Sequence, residues 1–305
     1  MKKFLENNFN LMLVISVIIG LLFPGIERIP NIVVSILLGI IVFFLCARIS
    51  LSEIGSVSAK EATAFYLLRF IALPVGFFYI STIFIPQYAV GVLLLSLMPV
   101  GISTPVVVNN QKGNTSLAFM LMLVSSLLAP LIIPAIFSLS NSDENIEILG
   151  VFYTLTSVII LPFIGYFLIT TIQKKTKPFI ESNVSFVSVV FMSIVISIVI
   201  SKQRNEFLSN YSAFFLVIAI LFLLFMCFYL FGWLFLGKQG SRSTRICYSL
   251  SSGATNTAIG INLALIYFSA DTVFFMVLSE LIWVLSIPTF NLLQQRFYQK
   301  QLGQY

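Results

Sequence analysis

Two polar stretches interrupt apolar runs of the chain and carry residue types that could bind a ligand. Residues 97–110 read LMPVGISTPVVVNN, and residues 250–262 read LSSGATNTAIGIN. Proline removes a backbone donor, and glycine permits close approach of the backbone. We therefore predict that two membrane-spanning helices break at these stretches. The residues that predict the breaks are Pro99, Gly101, Pro105 and Gly253.

Paired helix breaks are typical of a binding site inside a membrane protein. Irregular backbone is tolerated in lipid only where protein or a water-filled cavity covers it. The amino ends of half-helices attract an anionic group. Tight packing of small residues between helices is the alternative interpretation. The candidate substrate-binding residues are Ser103, Thr104, Asn109, Ser252, Thr255, Asn256 and Thr257.

Two charged side chains, Arg69 and Glu280, lie within apolar runs. Glu280 is the only acid well inside a predicted span, where a charged side chain costs about 2.5–3.5 kcal/mol. It can pair with Arg69, carry a transported proton, or stay protonated and bonded to a carbonyl. Arg69 lies about seven residues, roughly 10 Å, into its span. It therefore either acts inside the protein or extends to the membrane surface.

The composition argues against an enzyme and against a bound cofactor. The chain has no histidine, which excludes histidine-based metal sites and general-base chemistry. Serine–lysine or paired-aspartate chemistry would need a lysine or aspartate in mid-span, and the sequence has neither. A channel would need a continuous polar stripe, whereas the polar residues cluster at one depth. The cysteines show no metal-ligand spacing; they are Cys46, Cys227 and Cys247.

The overall composition is that of an all-α integral membrane protein. Of 305 residues, 59% are hydrophobic and 9% are charged, against about 25% charged in soluble domains. The formal net charge of +6 does not indicate nucleic acid, because the basic residues lie between spans. The basic, apolar start could be a signal peptide, but no small-x-small cleavage site follows. We predict ten spans, at about residues 9–24, 30–48, 62–84, 88–110, 115–138, 148–172, 183–201, 212–236, 246–268 and 272–294.

The distribution of basic residues predicts that both termini are cytoplasmic, in an inner or plasma membrane. In that orientation the outer loops hold Arg28, Lys202 and Arg204, and the acidic segment 140–147 is also outside. The inner segments hold Lys2, Lys3, Arg48, Lys60, Lys112, Lys174, Lys175, Lys177, Lys238, Arg242, Arg245, Arg296 and Lys300. The sequence carries no signal for an oligomeric state.

The chain contains an internal repeat. Residues 123–134, LVSSLLAPLIIP, align with residues 277–288, VLSELIWVLSIP, at a shift of 154. This shift pairs Ser126 with Glu280, and the two polar stretches lie about 150 residues apart. Five spans in each half make the halves inverted, as in secondary transporters. We predict repeats at 1–140 and 141–305.

Spans 4 and 5 resemble the bile acid:sodium symporter family, as a divergent, bacterial-type member. The family stretch runs roughly P-G-G-T-A-S-N-V, then a short K/R-G loop, then S-T-L-x-x-P-x-x-x-P. The matching residues are Pro99, Gly101, Val106, Lys112, Gly113, Ser125, Ser126, Leu127, Pro130 and Pro134. SSGATNTA in span 9 is similar to the family's E-V-G-M-Q-N-S-G, and residues 38–54 resemble its second span and loop.

This resemblance implies a core domain built from spans 3–5 and 8–10, in which the two broken helices cross. It implies a panel domain of spans 1–2 and 6–7, which moves against the core in alternating access. The implied substrates are organic anions such as bile acids or smaller carboxylates.

The family's sodium-binding residues are largely replaced. Its glutamine in span 3 falls on Arg69, its glutamate in span 9 on Ser251, and the following glutamine on Thr255. The serine–asparagine pair of span 4 becomes Thr104 and Pro105, and two hydroxyl positions of span 5 become Ala118 and Met122. Two cations about 4 Å apart repel by about 4 kcal/mol at an effective dielectric of 20. We therefore predict that Arg69 replaces a sodium ion.

The prediction is a secondary transporter of a small organic anion without the usual two-sodium coupling, either proton-coupled or facilitative. A sodium symporter with altered ligands and a non-transporting sensor or scaffold are the alternatives. We therefore predict no cofactor and no metal, with Na⁺ bound only in the sodium-symporter alternative. The candidate ion-site or coupling residues are Arg69, Ser125, Ser126, Ser251 and Glu280, and oxygens of Thr255 and Asn256 serve the sodium alternative.

Overall fold

The protein is helical throughout the part of the chain that the structure, a computed structural model, describes. This part comprises residues 9–48, 59–140, 146–205, 211–237 and 240–301. Within these ranges the only extended pairing is an isolated antiparallel bridge between Val100 and Thr255. Lys2, Lys3, Lys238, most of the acidic loop 140–147 and residues 49–54 of the second-span match lie outside the described residues.

The described residues of the first half of the chain form seven α-helices. They are α1 (Phe9–Leu22), α2 (Asn31–Leu45), α3 (Ala59–Leu67), α4 (Leu73–Phe84), α5 (Ala89–Leu97), α6 (Thr104–Asn110) and α7 (Thr115–Leu139). Short 3₁₀ turns flank α2 and precede α5, at Ile26–Arg28, Cys46–Arg48 and Pro86–Tyr88.

Seven α-helices also form in the described part of the second half. They are α8 (Ile148–Leu155), α9 (Leu161–Ile172), α10 (Thr176–Lys202), α11 (Tyr211–Leu234), α12 (Arg242–Gly253), α13 (Thr257–Tyr267) and α14 (Ala270–Gln301). The two predicted breaks separate α5 from α6, at residues 98–103, and α12 from α13, at residues 254–256.

Two spans contain a π-helical segment in place of a regular turn. Leu68–Ala72 joins α3 to α4, and Thr156–Ile160 joins α8 to α9. Each segment ends just before a leucine–proline pair, with Pro74 and Pro162 in the first turn of the following helix. Because proline lacks an N–H, the preceding turn loses a hydrogen bond and rearranges. The first of these segments carries Arg69.

The helices confirm an integral membrane protein. Six helical segments of the described residues are long and apolar enough to cross a membrane, and the count rises to seven when the bent helix α14 is included. Helical segments also occupy each of the ten predicted span ranges, but several are short because of the breaks. The inverted ten-span arrangement remains a prediction.

Close packing holds α11 against the α12 break. A Cβ atom on Gly253 would overlap the ring of Tyr229, so only glycine permits this approach. Tyr229 in turn accepts a hydrogen bond at its carbonyl from the Ser249 hydroxyl, at 2.7 Å. Its ring stacks on Phe290 of α14 with 5.0 Å between ring centroids. Helix α11 thus fixes the position of the second break.

Candidate functional site

The two helix breaks meet and pair with each other. On either side of the Val100–Thr255 bridge, Gly101 N–H donates to the carbonyl of Ala254 and Asn256 N–H donates to the carbonyl of Pro99, both at 2.8 Å. Backbone groups that leave a helix inside a membrane need such partners. The pairing is antiparallel and nearly symmetric, as expected if the breaks occupy equivalent places in two halves.

Two hydroxyl groups next to the breaks also bond backbone groups at the crossing. The Ser125 hydroxyl accepts from Val100 N–H at 3.0 Å and donates to the carbonyl of Met122 at 3.1 Å. The Thr104 hydroxyl donates to the carbonyl of Ala254 at 3.0 Å. The structure therefore brings Ser125 and Thr104 to the crossing, where both bond the backbone.

Arg69 connects the ends of the two half-helices that enter the crossing. Its side chain is fully buried, so it does not extend to the membrane surface. Nε donates to the carbonyl of Ser252 at 2.7 Å, and Nη1 donates to the carbonyl of Ser96 at 2.8 Å. These carbonyls lie in the last turns of α12 and α5, where helix carbonyls lack intrahelical partners.

Aromatic rings complete the surroundings of Arg69. Its Cζ atom lies 3.9 Å from the ring centroid of Phe228 and 4.9 Å from that of Phe70. A desolvated cation–π contact is worth about 2 kcal/mol. Nη2 has no hydrogen-bond partner in the described part of the chain. The guanidinium is thus held by carbonyls and ring faces.

A cavity of about 510 Å³ lies beside the crossing. Helices α2 and α10 line it from one side, and the two breaks and α14 line it from the other. Most of the lining is apolar. The predicted residues in the lining are Gly101, Ser103, Thr255, Asn256, Thr257 and Glu280.

Glu280 lies at the amino end of α13. The hydroxyl of Thr257, the first residue of that helix, donates to Glu280 Oε2. The Asn256 side chain caps the same helix and accepts from Ile259 N–H at 3.4 Å. Within the described residues, Glu280 forms no ion pair with Arg69. The Glu280 carboxyl group instead lies at the positive end of the α13 dipole.

Several predicted residues lie away from the cavity. Asn109 is exposed near the end of α6, where it accepts a hydrogen bond from the Thr115 hydroxyl at 3.3 Å. Because α6 runs on from the break, Asn109 is about 9 Å of helix beyond Ser103. Pro105 is in the first turn of α6, where proline is compatible with a helix.

Three predicted serines are buried behind the cavity wall. The hydroxyls of Ser126 and Ser252 have no hydrogen-bond partner within the described ranges. Ser251 Oγ lies 3.9 Å from Cys247 Sγ. Ser252 therefore contributes its carbonyl to Arg69, and its hydroxyl is not in the cavity lining.

The sequence prediction missed four polar residues of the cavity wall: Arg48, Ser185, Ser188 and Trp283. Trp283 follows Glu280 by three residues, and the two serines have the same spacing, so helical periodicity could have identified them. Arg48 lies at the end of a predicted span, and the sequence pattern assigns it to an inner loop instead of to the site.

The fold and the site define a class, that of membrane transport proteins, and comparison with known proteins agrees. The model of the Sodium Bile acid symporter family matches residues 35–210, more than half of the chain. The protein belongs to this family, which is one of transporters and not of enzymes, so both sequence predictions are confirmed.

Individual relatives are similar at low identity. The chain is 25% identical over 215 residues to the "Probable sodium/metabolite cotransporter BASS1, chloroplastic" of Arabidopsis thaliana, covering 68% of this chain and 52% of that protein. The aligned part of the chain thus spans about half the length of this relative. It is 23% identical over 273 residues to the "Uncharacterized sodium-dependent transporter YocS" of Bacillus subtilis, covering 87% of this chain and 84% of that protein. It is 26% identical over 223 residues to "Uncharacterized protein YbaS" of the same species, covering 72% of each.

Proposed function

We propose that this protein is a secondary transporter that carries a small organic anion by alternating access. In this proposal the halves 1–140 and 141–305 are inverted repeats. The core consists of α3–α7 and α11–α14, and the panel consists of α1, α2 and α8–α10. The observation that carries the proposal is the crossing of two paired helix breaks beside a large cavity. The cavity lies between elements of the two proposed domains, where a relative movement would open it to either side.

We further propose that Arg69 takes the place of a transported cation. The carboxyl end of each half-helix carries roughly half a negative elementary charge. Arg69 bonds carbonyls at two such ends, so one fixed positive charge balances both. A sodium ion about 4 Å from the guanidinium would be repelled by about 4 kcal/mol at an effective dielectric of 20. Coupling to a proton on Glu280, or no coupling, follows from this proposal.

The test is transport by purified protein in proteoliposomes. Labelled taurocholate and labelled short-chain carboxylates serve as probes, with Na⁺ replaced by choline at constant ionic strength. We expect protein-dependent, saturable uptake that is equal in the two salts. Stimulation by Na⁺ would contradict the role given to Arg69. A lack of protein-dependent uptake of every probe would favour the sensor or scaffold alternative.

A sodium symporter with altered ligands is the second candidate. The names of two relatives describe sodium dependence, and buried hydroxyl oxygens remain free near the crossing. They belong to Ser126, Ser252 and Thr255. Sodium needs several oxygen ligands, usually with a carboxylate to balance its charge, and Glu280 is the only acid in the cavity lining. Saturable Na⁺-dependent uptake that is lost in Ser126→Ala would favour this candidate.

A further inference from the structure

The cavity has two charged lining residues, Arg48 and Glu280, and no ion pair joins them among the described residues. Arg48 is half-buried, and its Nη2 donates to the Ser185 hydroxyl at 2.8 Å. It has no acidic partner in the described part of the chain. A guanidinium that is held by a neutral hydroxyl retains free donors for a carboxylate or another anion.

Glu280 already occupies the anion position at the crossing. Helix amino ends favour negative charge, and here the Glu280 carboxylate lies at the amino end of α13, bonded by Thr257. A ligand anion at the same place would meet a like charge in a cavity whose lining is mostly apolar. The anionic end of a ligand therefore belongs at Arg48. The crossing is left for a group that donates hydrogen bonds to a carboxylate.

The two charges lie at opposite ends of an apolar wall. The α2 side of the cavity runs from Leu38 to Arg48, which is roughly 15 Å of helix. The α14 side runs from Glu280 to Pro288, roughly 12 Å. In the predicted ten-span arrangement α2 and α14 are spans 2 and 10 and run in the same direction, so that Arg48 ends one lining strip and Glu280 begins the other. Aliphatic side chains line the space between them: Ile41, Val42, Leu45 and Ile287.

We propose that the cavity takes an amphipathic carboxylate whose far end is a hydroxyl or an ammonium group. Its carboxylate binds Arg48, its apolar chain lies along α2, and its far end donates to Glu280. The Ser188 hydroxyl and the Trp283 indole N–H also belong to this wall, and neither has a hydrogen-bond partner among the residues that the structure describes. The inference rests on the proposed function, because it assumes that this cavity is the substrate cavity.

Binding to the full chain in lipid nanodiscs tests the proposal. The probes are octanoate, 8-hydroxyoctanoate, 8-aminooctanoate and octylamine, with affinities taken from calorimetry. We expect the Kd of 8-aminooctanoate to be about tenfold lower than that of octanoate, which corresponds to about 1.4 kcal/mol. We expect the value for 8-hydroxyoctanoate to fall between them, and octylamine to bind more weakly than 8-aminooctanoate.

Three variants test the binding of each end of the ligand separately. Arg48→Ala should weaken every carboxylate by about tenfold or more. Glu280→Gln should leave octanoate unchanged and remove the advantage of 8-aminooctanoate. Lys174→Ala is the matched control, because it removes an exposed cation outside the cavity and should change nothing.

Several results would overturn the inference: octanoate binding as tightly as 8-aminooctanoate, no binding by any probe, or affinities unchanged in Arg48→Ala. These results are independent of transport. If the probes bind as expected but are not taken up in proteoliposomes, the proposed transport function is wrong, and the proposed orientation of the ligand between Arg48 and Glu280 stands. Uptake by Arg48→Ala at the wild-type rate and affinity would support transport and defeat the orientation.

Discussion

The Nε atom of Arg69 lies 2.7 Å from the carbonyl oxygen of Ser252, although the two residues are 183 positions apart. The same guanidinium also bonds the carbonyl of Ser96, which lies in the first half of the chain, whereas Ser252 lies in the second half. One side chain therefore joins the carboxyl ends of both broken helices. This contact links the stability of the crossing to the question of which cation, if any, the protein transports.

Arg69→Gln should destabilise the protein. The change removes two hydrogen bonds from a charged donor, each worth about 1.5–3 kcal/mol, and a cation–π contact with Phe228. We expect a loss of about 3 kcal/mol or more, measured by thermal or denaturant unfolding in nanodiscs. Arg245→Gln is the matched control, because Arg245 is also buried and lies over an aromatic ring, that of Trp233, but among the described residues its side chain bonds a single carbonyl, also of Trp233. If Arg69→Gln lost no more stability than Arg245→Gln, the bridging role of Arg69 would be contradicted.

Ser125→Ala should weaken the first break. Its hydroxyl is the hydrogen-bond partner of the buried Val100 N–H, and leaving such a donor without a partner costs about 1–3 kcal/mol. Ser138→Ala is the control, since that serine is on the same helix, is exposed, and bonds only the carbonyl of Ala135. We expect the midpoint of thermal unfolding to fall for the first variant only. Equal midpoints would show that Val100 finds another partner.

Gly253→Ala should disrupt the contact between α11 and the second break. A Cβ atom at Gly253 would overlap the ring of Tyr229, which is itself fully buried. Overpacking of this kind costs about 1–3 kcal/mol or more. A Cβ atom at Gly76 would have no neighbour within 4 Å, so Gly76→Ala serves as the control. Gly253→Ala should change both the transport rate and the midpoint of thermal unfolding. Gly76→Ala should change neither.

Glu280→Gln should abolish the pH dependence of transport if Glu280 carries a proton with the substrate. Wild-type uptake should then rise when the outside is made more acidic, because proton entry drives substrate entry. The variant cannot bind that proton, so its uptake should be insensitive to the pH gradient. Glu181→Gln changes an exposed carboxylate that pairs with Lys177, and it should respond like the wild type. A pH response retained in Glu280→Gln would reject this residue as the proton carrier.

The helix breaks could be predicted from sequence because proline and glycine act locally. Pro99, Gly101 and Gly253 lie within the non-helical crossing or at its edge, as their backbone chemistry requires. The pairing of the two stretches could also be predicted from sequence, because unpaired backbone groups need a partner inside a membrane.

The partners of Arg69 could not be predicted in the same way. Its acceptors are backbone carbonyls 27 and 183 residues away, and carbonyls carry no sequence signal. Arg48 was missed because a basic residue at the end of a span also anchors helices at the membrane surface. Asn109 was predicted at the site because its type suits a ligand, but the course of α6 after the break carries it to the surface.

The central claim is that Arg69 supplies the positive charge that a sodium ion supplies in a sodium symporter. Its most direct test is the thermal unfolding midpoint of the wild-type protein in nanodiscs, in NaCl and in choline chloride at equal ionic strength. We predict the same midpoint at every Na⁺ concentration. A saturable increase of the midpoint with Na⁺, absent with choline, would contradict the claim.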